Sequence, residues 1–72
     1  MYIILEIQTN KGVTSVLPAI TKTNRNEADQ AYYQILAAAA VSSVEIHSAV
    51  ILTEAGAAIA SKSYDHTSEV VS

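Results

Sequence analysis

At 72 residues the chain has room for one domain, and a domain that small buries only about 60% of the surface its unfolded chain exposes. Absent cysteine excludes disulfides and thiolate metal sites, and two histidines are too few to hold a structural metal, so no metal or cofactor is expected. A net charge of −3, with Lys11, Lys22, Arg25 and Lys62 scattered, argues against nucleic acid as a partner.

Met1-Tyr2-Ile3-Ile4-Leu5 is apolar but stops at Glu6, which fits neither a signal peptide nor a membrane span, so a cytoplasmic protein is expected. Residues 2–9 are β-branched and aromatic with a partial period of two, a strand. Asn10-Lys11-Gly12 reads as a three-residue loop closed by a G1 bulge, and Val13 to Thr21 returns as the second strand. Pro18 lacks a ladder donor, which sends this strand to a sheet edge or puts a bulge in it.

Asn24-Arg25-Asn26-Glu27 resembles a capping box, and Ala28, Ala31, Tyr32, Ile35, Leu36 and Ala39 then recur at three- and four-residue steps. A helix running to about Val41 follows, with Tyr33 leaning away from its core face. Residues 45–53 form a third strand, Glu54-Ala55-Gly56 a second three-residue turn, and Ala57 to about Asp65 a fourth. The expected fold is α+β, in ββαββ order, one helix packed on a four-stranded antiparallel sheet, with residues 1–66 as a single domain and 67–72 as a flexible tail.

Three-residue turns would set the register of both hairpins. Ile3, Leu5, Ile7, Val13 and Leu17 then form the floor for the helix, and Tyr2, Ile4, Val16, Pro18 and Ile20 face the other way. In the second hairpin Ile46, Val50, Leu52, Ala58, Ala60 and Tyr64 share a face, opposite His47, Ala49, Ile51 and Ile59. Both sheet faces are thus apolar in patches, while one helix covers one face. The helix is uncharged all round in its second half, Ile35 to Val41. Half the residues are hydrophobic and 15% charged, against about 25% charged in typical domains. Homo-oligomerisation is the expectation, with Ala37, Ala38, Ala40, Ile4, Ile51 and Ile59 as interface candidates.

No catalytic constellation emerges. The serines, His47, His66 and Asp65 can be grouped into Ser/His/Asp sets, as any serine-rich chain allows, but nucleophile elbow, phosphate loop and glycine fingerprint are missing. Lys62, Tyr64 and His66 lie on one side of the fourth strand, with His47 expected on the opposite face. With Arg25 and Tyr33 they are the cations and aromatics available to a ligand. The plainer reading has Tyr64 at the core rim, His66 in solvent and His47 half-buried or at an interface.

Met1 to Asn10, Asn26-Glu27-Ala28, Tyr32, Ile35 to Ser42, His47-Ser48-Ala49-Val50, Leu52-Thr53-Glu54-x-Gly56 and Tyr64-x-His66 together resemble a family of short uncharacterised proteins of phages and prophages of gut bacteria. Ala31 and Tyr33 stand where members often carry Lys and His around the tyrosine, and Ala57 to Ala60 is less charged than its counterpart. The resemblance implies a phage or prophage origin, and an accessory protein in the cytoplasm of an infected bacterial host is the expectation. One such role is a non-enzymatic oligomer that sequesters a small anionic ligand, such as a nucleotide signal of bacterial immunity. A virion component and a binder of a host protein are the other roles. Beyond itself and such a nucleotide, neither nucleic acid nor membrane is an expected partner.

Overall fold

A computed structural model of the chain describes residues 1–67. Its elements are β1 (Tyr2–Asn10), β2 (Val13–Val16), β3 (Ile20–Lys22), α1 (Arg25–Ala40), β4 (Ile46–Thr53) and β5 (Ala58–Asp65). They form an α+β fold, one helix on an antiparallel sheet of order β2-β1-β4-β5, with β3 also paired to β1. The tail expected from residue 67 lies, from 68 onward, outside the described residues.

The second strand is broken where Pro18 stands. β2 pairs with the far end of β1 (Ile7 with Val16), β3 with its near end (Ile4 with Ile20), and 17–19 pass between them. Both lie at the sheet edge, the place a proline is tolerated. β3 and β4 each run antiparallel to β1 and hence parallel to one another. Parallel strands need a crossover, and α1 supplies it by passing over β1.

The helix follows its sequence pattern closely. Asn24 is the N-cap, its side chain accepting from the amides of Asn26 (2.7 Å) and Glu27 (3.4 Å). Ala28, Ala31, Tyr32, Ile35, Leu36 and Ala39 are the buried residues, the stripe that the three- and four-residue spacing predicts.

The face beneath the helix is the reverse of the expected one. The first hairpin turns through two residues, Lys11 and Gly12, with Asn10 opposite Val13. Both have positive φ, 53° and 79°, as a type I′ turn requires. The Lys11 amide donates to the Glu45 carboxylate, a contact from 34 residues away that supports an unusual conformation for lysine. In the second hairpin the expected start is present, the Thr53 amide donating to the Ala57 carbonyl (2.8 Å). A bulge follows, Leu52 pairing with Ala58 but Ile51 with Ala60, and reverses the facing of β5 relative to β4.

The core therefore gathers Ile4, Ala49 and Ile51 from the sheet against Ala28, Ala31, Tyr32, Ile35 and Leu36, with Tyr2, Ala60 and Tyr64 at its margin. Ile4 and Ile51, paired across β1 and β4, are both 0% exposed. They cannot serve as interface residues, and that expectation is corrected. Ile3, Leu5 and Ile7, expected as the helix floor, lie on the uncovered face with Ile46, Val50 and Leu52.

Candidate functional site

Two regions carry what chemistry the fold presents. The first is the open face of the sheet. Pairing places Ile3, Leu5 and Ile7 of β1 beside Leu52, Val50 and Ser48 of β4, with Ser61 and Ser63 of β5 on one flank and Val16 of β2 on the other. Among the paired strand residues of this face, Asp65 alone is charged, and it stands at a corner. Thr9 and Thr14 join hydroxyls across the hairpin at 2.9 Å. Where the small serines run beside Ile7 and Val50, the surface dips into a shallow depression of about 290 Å³ lined by Ile7, Ser48, Val50, Ser61 and Ser63 among others. Among the described residues, no element forms a second layer over this face.

The second region is on the helix side, at the end where α1 finishes. His47 lies directly opposite Tyr64, not on the other face from it, because the bulge turned β5 over. Its Nε2 meets the Glu6 carboxylate at 2.5 Å, and Gln8 Nε2 donates to the same carboxylate at 3.2 Å. The His47 Nδ1 is buried, with no hydrogen-bond partner among the described residues. His47 is buried, so it contacts no solvent-borne ligand as the fold stands.

On β5 the Tyr64 and His66 rings stack, with centroids 6.3 Å apart and planes within 7°. Lys62 places Nζ 5.3 Å from the Tyr64 centroid, a cation–π contact of about 0.5–1 kcal/mol at an exposed site. His66 is buried, contrary to the plainer expectation of solvent. Its Nε2–H donates to the Ala39 carbonyl (2.8 Å) and its amide to the Glu45 carbonyl (2.6 Å). The last carbonyls of a helix have no partner within it, so the ring ties the end of α1 to the sheet. Thr67 donates from its hydroxyl (2.5 Å) and its amide (2.9 Å) to Asp65. Those two bonds hold the Asp65 carboxyl below its usual range.

The fold thus brings together His47, Lys62, Tyr64 and His66. It separates Arg25 and Tyr33 from them. Arg25 pairs with Asp29 at 2.8 Å at the start of α1, roughly 20 Å along the helix from Ala39. Its charge is held above the usual guanidinium range by that hydrogen bond and charge. Tyr33 is 63% exposed on the outer side of α1, edge-on to Tyr32. Ala37, Ala38 and Ala40 are exposed on the helix as expected, and Ile59, in the bulge, is 41% exposed. The open-face aliphatics differ from the expected interface residues because α1 packs on the Ile4 and Ile51 side of the sheet. The signal lies in the near-continuous apolar runs Tyr2 to Leu5 and Ala49 to Leu52, a pattern typical of strands that are buried on both faces.

Among the described residues no cluster of three or more His, Asp or Glu could hold a metal ion, and no helix is long and apolar enough to cross a membrane. The chain matches no protein-family model, no curated protein and no solved structure.

Proposed function

We propose that the chain is a non-enzymatic protein that works as a homo-oligomer, with the open face of its sheet closed by the same face of a second copy. The observation that carries this reading is the aliphatic row Ile3, Leu5, Ile7, Val50 and Leu52 on a face that no layer covers among the described residues. Such a face lacks the charge pattern that selects an unlike partner, and aliphatic side chains with hydroxyls are complementary to themselves. Two such faces pack about 10 Å apart as a sandwich, which adds the core that a chain of 72 residues is short of. Light scattering at micromolar concentration tests it: a mass above 7.6 kDa is expected, and Val50→Lys opens the stacked face and lowers that mass with the fold retained. A monomer in the unaltered protein overturns the reading.

A second reading adds a ligand. Lys62 over Tyr64, itself stacked on His66, is a cation beside a flat aromatic pair, a combination suited to a small anionic ligand with a ring, such as a nucleotide. The resemblance to small phage proteins agrees with a sponge for a bacterial immune signal. Incubating the oligomer with a panel of cyclic and ADP-ribose nucleotides tests it. A bound nucleotide is depleted from solution, and at 100 times its dissociation constant stabilises the fold by about 2.7 kcal/mol. With no depletion and no rise in melting temperature, the ligand reading fails, and recovery of the protein in purified virions supports a structural role instead.

A further inference from the structure

The two edges of the sheet differ. One is formed by β2 and β3, of four and three residues, interrupted at Pro18. Short strands and proline are the devices that keep an edge from pairing. The other edge is β5, eight residues long, without proline, and exposed along Ser61, Lys62 and Ser63. The His66 amide donates to the Glu45 carbonyl, and antiparallel ladders alternate between bonded and non-bonded pairs. Tyr64, Lys62 and Ala60 therefore spend their backbone groups on β4, while the amides and carbonyls of Ser61, Ser63 and Asp65 point outward from the sheet.

We propose that β5 pairs antiparallel with β5 of a second copy across a two-fold axis at Ser63, joining two sheets into one. The occupant is a second copy because the edge suits itself in one register. The outward groups of Ser61, Ser63 and Asp65 are centred on Ser63, so a dyad there lets every one of them bond: Ser63 to the partner's Ser63, and Ser61 to the partner's Asp65. On the helix side the same register sets Lys62 opposite the partner's Tyr64, twice over, so the cation–π contact seen within one chain can form between chains. A dyad one residue earlier would set Lys62 against the partner's Lys62, a like-charge pair that destabilises a ladder. A dyad two residues earlier would run the ladder into the bulge at 58–60.

This inference rests on the homo-oligomer reading but concerns a different seam, and disulfide trapping separates the two. The chain has no cysteine, so an introduced one reports without background. Directly opposed bonded residues of an antiparallel pair have Cα atoms about 5.5 Å apart, within disulfide reach, whereas sheets stacked about 10 Å apart bring only occasional positions within it, and Val50→Lys removes that route. Under mild oxidation Ser63→Cys should run at twice the monomer mass on a non-reducing gel and revert with reductant. Ser61→Cys alone and Asp65→Cys alone should stay uncrosslinked, and their mixture should crosslink. The same crosslink should persist when Ser63→Cys is combined with Val50→Lys, which opens the stacked face. An unaltered protein that scatters as an oligomer while Ser63→Cys fails to crosslink overturns the edge seam and leaves the face seam standing. A monomeric unaltered protein whose Ser63→Cys form also fails to crosslink removes both.

Discussion

Ile3, Ile4 and Leu5 are consecutive aliphatic residues, yet Ile4 is sealed under the helix while Ile3 and Leu5 stand on the face that no layer covers among the described residues. Val50, Ile51 and Leu52 repeat the contrast on the neighbouring strand. The covered face owes its order to a helix of the same chain, so its stability is an intramolecular quantity. The open face has the same chemistry without a cover, so what it contributes depends on concentration and on a partner. One sheet thus holds a core on one side and a half-core on the other.

The largest expected effect breaks that contrast most directly. Ile51→Ala should lower unfolding free energy by about 2–5 kcal/mol, from lost burial and the cavity left behind, at every protein concentration. Leu5→Ala should have a smaller effect in dilute solution that grows with concentration, because a partner's contacts stabilise only the assembled state. Urea titrations at two concentrations differing a hundredfold read both, and equal, concentration-independent losses would falsify the distinction between the faces.

A smaller effect belongs to the clamp at the end of the covered face. His66→Phe keeps a ring against Tyr64 but removes the donor to the Ala39 carbonyl, and should destabilise by about 1 kcal/mol. Hydrogen exchange should then quicken first at the amides near the end of α1. Uniform quickening along the helix would mean that the ring is not a local tie.

The smallest effects are titrations of opposite sign on the two faces. Burial raises the Tyr32 phenol above its usual range, the neutral form being favoured in the folded chain. Stability from Tyr32 is therefore complete below the ordinary tyrosine range and is lost as pH rises through it. Tyr32→Phe should flatten the alkaline fall in melting temperature. The Asp65 carboxyl, at the corner of the open face, is lowered by the Thr67 hydroxyl and amide, so its contribution is complete above the ordinary carboxylate range and is lost as pH falls below it. Asp65→Asn should shave the acid limb alone, and a change in the alkaline limb would contradict the assignment.

Local chemistry settled much of this protein without help from the fold. The cap at Asn24, the helix stripe from Ala28 to Ala39, the edge position forced by Pro18 and the glycine turns at Gly12 and Gly56 all act within a few residues, where side-chain spacing and backbone preference are legible. The candidate site was legible in part: Lys62, Tyr64 and His66 share one side of a strand by simple alternation. Which sheet face the helix covers was decided at a distance. With apolar residues on both sides of β1 and β4, hydrophobic pattern does not choose between them, and the choice passes to the side on which α1 crosses β1 from β3 to β4. Glu45 bonds the Lys11 amide beside a two-residue turn, and the bulge between Ile51 and Leu52 turns β5 over. The bulge set His47 beside Tyr64, and only the packing of α1 across β1 and β4 buried Ile4 and Ile51 and left Ile3, Leu5, Val50 and Leu52 on the other face.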